Sequence, residues 1–76
     1  MEEREITLAD IRVGESMTVR SASGEAALRF FDLGFFRGAN VRCLGRAPLG
    51  DPLMLSVGGR VIAVRKRNLK SIIAIK

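Results

Sequence analysis

Two strand-like runs, Leu53 to Val57 and Arg60 to Val64, are separated by just two residues, Gly58-Gly59. That spacing restricts the fold more than any other feature of the chain. A two-glycine connection between strands is the signature of a type I′ or II′ turn, so the runs must pair as an antiparallel hairpin. Glu15 to Arg20 is a third strand, with Met17 and Val19 on one face and Ser16, Thr18 and Arg20 on the other. Val41 to Ala47 and the β-branched run Ser71 to Ile75 complete a set of five. Ser21-Ala22-Ser23-Gly24 and the basic stretch Arg65-Lys66-Arg67-Asn68-Leu69 read as turns.

Two helical pieces break the β pattern. Thr7-Leu8-Ala9-Asp10 fits a capping box, with Thr7 as the cap, and predicts one helical turn ended by Gly14. Glu25 to Leu33 predicts the main helix. Ala27, Phe30 and Phe31 share its inner face, which assigns both phenylalanines to the core. Gly34 occupies the position where a left-handed glycine stops a helix. The loop Pro48-Leu49-Gly50-Asp51-Pro52 is stiff, because its prolines fix φ.

Short strands joined by tight turns in 76 residues point to one mainly β domain, 1–76, with residues 1–6 as a flexible arm. A closed or nearly closed barrel of about five strands with one inserted short helix satisfies the pattern, and an SH3-like barrel fits the size. A chain this short buries only about 60% of its unfolded surface, which leaves little room for a deep cleft.

The residue inventory excludes most chemistry. The sequence has no histidine and one cysteine, Cys43. It therefore lacks the commonest general base and the donors for a zinc or iron–sulfur cage. Cys43 lies in the apolar stretch Val41 to Leu44 and reads as a small buried hydrophobe. Asp10, Asp32 and Asp51 lack the close spacing of a calcium loop. No serine has a histidine to activate it, and no glycine pattern forms a phosphate cradle. The expectation is a non-enzymatic chain with no catalytic residue, cofactor or metal site.

Charge supplies a positive indication. The net charge is +5, yet every carboxylate lies at or before Asp51. The stretch from Leu53 onward carries Arg60, Arg65, Lys66, Arg67, Lys70 and Lys76 and no acid. Such a surface attracts acidic partners. Single-stranded nucleic acid is disfavoured, because all four phenylalanines fall between Phe30 and Phe36, away from the basic half. No apolar run approaches the ~20 residues of a membrane span. The acidic first residues do not form a secretory signal, so a cytoplasmic location is expected.

Several segments in order resemble the FeoA family, the small cytoplasmic component of bacterial ferrous-iron uptake. Leu8-Ala9-Asp10-Ile11-Arg12-Val13-Gly14 is similar to that family's leucine-leucine-glycine opening motif. Arg29 to Gly38 resembles its arginine, leucine-glycine, then glycine segment. Ala47-Pro48-Leu49-Gly50-Asp51-Pro52 matches its proline loop, the most specific element, and Val61 to Lys66 resembles its following strand and basic turn. The likeness spans Thr7 to Ile75. Phe30 and Phe31 depart from it where smaller aliphatics are common, as does Asn68 where an acid is common.

The resemblance implies an SH3-like barrel with an inserted helix, similar also to the C-terminal domain of DtxR-type metal-dependent repressors. It implies an accessory or regulatory role in iron uptake through protein–protein docking to the membrane transporter FeoB, at its cytoplasmic GTPase domain. The chain would then sit peripheral to the inner membrane through its partner, without inserting, and with self-association left open. An Fe(II)-binding carrier and a basic nucleic-acid-binding barrel are the alternative functions. Candidate partner-binding residues are Leu33, Gly34, Phe35, Phe36 and Arg37 after the helix, Pro48, Leu49, Asp51 and Pro52 in the loop, and Arg65, Lys66 and Arg67 in the basic turn. Of Phe35 and Phe36, one is expected to point inward and the other to be an exposed anchor, with the sequence leaving open which is which.

Overall fold

The computed structural model of the chain describes residues 5–24 and 31–76. They form a six-stranded antiparallel sheet in the order β1-β6-β2-β3-β4-β5. Its strands are β1 (Glu5–Thr7), β2 (Ser16–Ala22), β3 (Asn40–Arg46), β4 (Leu53–Val57), β5 (Arg60–Val64) and β6 (Ile72–Ile75).

The hairpin folds as its sequence requires. β4 and β5 pair with Val57 opposite Arg60 and Leu53 opposite Val64. Gly58 and Gly59 both take positive φ, 57° and 81°. Left-handed backbone at both central positions is the type I′ form, whose twist matches that of the strands. β4 buries Leu53, Leu55 and Val57 and turns Met54 outward. Met17 and Val19 enter the core from β2, Val41 and Cys43 from β3, and Ile72 and Ala74 from β6.

β2 serves two partners. Ser16 to Thr18 pair with β3, and Thr18 to Ala22 pair with β6. The register with β6 shifts between Val19 and Ser21. A bulge bends a strand and increases its twist, which lets one strand curve between two parts of a sheet. A second shift, between Cys43 and Gly45, bends β3 against β4.

The expected mainly β architecture is observed, and four details differ from the sequence reading. The sheet has six strands rather than five, because Glu5 to Thr7 pair with Ile73 to Ile75 of β6. Residues 5 and 6 thus belong to the sheet and not to an arm; three residues carry too little pattern to be legible without their partner. The sheet is also open, since its hydrogen-bonded order runs from β1 to β5 without the two meeting. The basic turn after β5 is a short helix, Lys66–Leu69, which buries Leu69. Finally, Phe31 is not in the core: it is 63% exposed.

The first helical turn is a 3-10 turn, Leu8–Asp10, with Leu8 and Ala9 buried. Thr7 does not cap it through a backbone N–H; its hydroxyl instead approaches Asp10 Oδ2 at 3.4 Å. Of the predicted helix Glu25 to Leu33, residues 31–33 are helical and 25–30, including Ala27 and Phe30, lie outside the described residues.

Candidate functional site: an outward aromatic pair and a loop tied to the basic helix

Gly34 decides where the aromatic side chains go. Its φ is 101° and its N–H donates to the Phe31 carbonyl at 3.0 Å. A Cβ at this position would lie 3.2 Å from Val57 Cγ1, so the chain passes close over β4 where only glycine fits without adjustment. In a continuing helix Phe31 and Phe35 would stack on one face at i, i+4 spacing. The left-handed residue between them breaks that relation. Phe35 turns into the core, where it is 2% exposed, and its burial contributes about 2 kcal/mol.

Phe36 then faces solvent, half exposed, and meets Phe31 instead. Their ring centroids are 6.1 Å apart with an interplanar angle of 57°. That is a tilted pair within the range of favourable aromatic contacts. Leu33 is exposed on the same turn of chain. The loop holding Phe36 is fixed from behind: Ala39 N–H donates to the Phe36 carbonyl at 2.9 Å, and Gly38 N–H to the Val19 carbonyl at 2.8 Å. Phe36 is thus the outward residue of the Phe35-Phe36 pair, a choice the sequence left open. The second aromatic, Phe31, was not legible as a surface residue, because an aromatic at helical spacing usually marks a core face.

The proline loop is a hydrogen-bonded turn. Gly50 N–H donates to the Ala47 carbonyl at 2.7 Å, and Ala47 N–H to the Pro52 carbonyl at 3.0 Å. Pro48 follows Ala47 at the turn position that favours proline. Leu49 stands at the tip, 97% exposed. The Asp51–Pro52 peptide is cis.

Asp51 joins this loop to the basic helix. Its Oδ1 accepts the Lys66 backbone N–H at 2.8 Å, and its Oδ2 lies 3.8 Å from the Arg65 guanidinium. A carboxylate at the first turn satisfies an otherwise unpaired N–H and suits the helix dipole. Two segments proposed separately from the sequence are therefore one structural unit. Arg65 and Arg67 are exposed on it, while Lys66, Asp51 and Pro52 are half-buried. Arg37, on the aromatic segment, is exposed as well. Among the described residues, no hydrogen bond or ion pair ties the aromatic pair to this second unit.

A third cluster gave no sign in the sequence. Glu15 pairs with Lys76 and accepts the Arg12 N–H at 3.0 Å, with a side chain only 15% exposed. The Lys76 ammonium, followed by the Arg12 N–H, holds the Glu15 carboxyl below the ordinary glutamate value of 4.5. Ile6 and Asp10 complete a polar hollow around this pair. Residues at opposite ends of a sequence give no local signal of such a contact. Among the described residues no three Cys, Asp or Glu side chains gather in a group that could hold a metal ion, and the sequence supplies no histidine. Among them, too, no helix is long and apolar enough to cross a membrane.

The FeoA domain profile matches residues 6–75. No curated protein matches the sequence. Among solved structures, FeoA protein from Chlorobium tepidum is similar at 32% identity and a TM-score of 0.82, covering 92% of this chain and 69% of that one. Stenotrophomonas maltophilia FeoA, solved with zinc, shares 29% identity at a TM-score of 0.81, over 91% of this chain and 88% of that one. It is described as a prokaryotic SH3 domain protein and a candidate activating factor of bacterial ferrous-iron transport. A manganese-dependent transcriptional repressor aligns at 15% identity and a TM-score of 0.83, over 100% of this chain and 44% of that one, a likeness of fold alone.

Proposed function

The chain belongs to the FeoA family, whose members take part in ferrous-iron transport, and from that premise we propose that it is an accessory subunit that docks onto a FeoB-type membrane transporter at its cytoplasmic GTPase domain. The observation that carries this reading is the Phe31–Phe36 pair, held outward beside Leu33 by a loop whose other aromatic is buried. Large aromatic side chains on a preorganised segment lose little entropy on docking and commonly dominate interface energies.

The basic helix and its loop play a different part in this reading. Arg65 and Arg67, exposed on a segment that Asp51 ties to the stiff turn, steer the chain toward an acidic surface. The turn itself presents Leu49 on a stiff support. The role is one of binding protein; the donor set argues against a resident metal.

The test is binding of the purified GTPase domain of a FeoB-type transporter to wild type and to Phe36→Ala. The expected result is a loss of about tenfold or more in affinity with the melting temperature nearly unchanged, because Phe36 is half exposed already. Unaltered affinity would sink the proposal. A large drop in melting temperature would reassign Phe36 to structure.

A further inference from the structure

β5 (Arg60–Val64) pairs with β4 on one side and marks one margin of the sheet. The hairpin fixes which of its backbone groups are satisfied. Val57 and Arg60 flank a two-residue turn and face each other, so they exchange the first pair of ladder hydrogen bonds. Bonded pairs recur at every second residue, at Leu55 with Ile62 and at Leu53 with Val64. The N–H and C=O of Val61 and Ala63 therefore point away from β4, toward a margin where no other strand pairs with β5 among the described residues. Both residues are exposed, Val61 by 58%.

Natural sheets protect such margins with proline, inward-pointing charge or very short strands. β5 has no proline and is five residues long, against three described residues in β1 at the other margin. Its outward side chains continue an apolar surface. Ala63 lies opposite Met54, and Val61 opposite Ser56, which in turn faces Arg42 of β3. Leu44, at the bulge of β3, is exposed as well. The charge on the strands themselves is of one sign: β3, β4 and β5 carry Arg42, Arg46 and Arg60 and no carboxylate, while Asp51 lies outside them beside Arg65. None of the three strand arginines has an ion pair among the described residues.

We propose that the free margin of β5 accepts an extended acidic segment of a partner protein as an added strand. Main-chain hydrogen bonds to Val61 and Ala63 supply the attachment. Small apolar side chains at alternate positions rest beside Val61 and Ala63, and carboxylates at the ends of the segment meet Arg60 and Arg65, which stand at the two ends of β5. A second copy of this chain fits poorly, because antiparallel pairing of two β5 strands sets Arg60 of one near Arg65 of the other. This surface is separate from the aromatic pair, and its test does not depend on the proposed transporter.

The test uses the whole chain, isotopically labelled, with a short peptide of alternating valine and threonine flanked by aspartates. A lysine-flanked peptide of the same core is the control. The aspartate peptide should slow amide exchange at Val61 and Ala63 by about tenfold, less so at high salt, and the lysine peptide should not. Ala63→Pro removes an outward N–H while sparing the β4 ladder, and should abolish peptide binding with the hairpin intact. Arg60→Glu, which leaves the backbone alone, should weaken it about fivefold or more. Phe36→Ala should leave it unchanged. The proposal is overturned if neither peptide binds, if the lysine peptide binds as well, or if exchange slows elsewhere and not at Val61 and Ala63. It is also overturned if those two amides become protected with rising protein concentration alone, which would make a second copy the occupant.

Discussion

The two halves of the sheet handle charge in opposite ways. In β1, β6 and β2, charges are matched: Arg20 meets Glu5 at 3.1 Å, and Lys76, just after β6, pairs with Glu15. In β3, β4 and β5 the strands bear arginines and no acid. Both halves contribute aliphatic side chains to one core, so the difference is confined to the outer surface. A matched surface is complete in itself. An unmatched one is held solvated in the free protein and gains by meeting carboxylates on another molecule. Exposed ion pairs contribute only about 0.2–1 kcal/mol each, so leaving arginines unmatched costs the fold little.

The comparison can be broken most decisively through the shared core. Leu55 is fully buried at the centre of β4. Leu55→Ala should destabilise the protein by about 3 kcal/mol, and hydrogen exchange should rise together in both halves. Acceleration restricted to β3, β4 and β5 would mean that the halves open as separate units.

A smaller effect is expected where the acid-free half ends. Asp51 supplies the carboxylate for the segment after β5. Asp51→Ala should cost about 1 kcal/mol and expose the Lys66 amide to exchange, leaving the Phe31–Phe36 pair unaffected. Equal disturbance of the aromatic segment would mean that the loop and the aromatic pair are energetically coupled.

The smallest effect is also the most specific to the matched half. A carboxyl held below its unfolded value stabilises the fold above that value, and the contribution is lost as pH falls through the folded pKa. Glu15→Gln should therefore lower stability at neutral pH by about 0.5 kcal/mol. The gap from wild type should close as the solution is acidified below 4.5, the ordinary value, and through the folded pKa. Arg42→Gln, on the unmatched half, should show no such pH-dependent gap. A gap for Glu15→Gln that is constant with pH would remove the ion pair from the stability of that half.

How much of the molecule could be read from its sequence follows the range of each interaction. The hairpin was legible because its turn chemistry lies within two glycines, and β4 and β5 have the expected bounds. Gly34 was legible as a helix stop for the same local reason, as was the buried setting of Cys43. β1 was not, since three residues become a strand only by pairing with the far end of the chain. Phe31 was misplaced because helical spacing does not reveal where the helix is interrupted. The family motifs marked Asp51 without disclosing that its carboxylate reaches the Lys66 amide. Arg42 drew no notice in the sequence, because its isolation is a property of three strands laid side by side.

The unequal margins of the sheet also set a limit on number. An assembly that grows strand by strand needs two receptive sides on every molecule, one to give and one to take. Among the described residues one side ends in a three-residue strand, with Glu5 already engaged by Arg20, and the other in a five-residue strand. Addition at the long side uses up that opening and creates no equal one on this chain. Such a molecule terminates a chain instead of propagating it, and its complexes should have a fixed stoichiometry at any concentration.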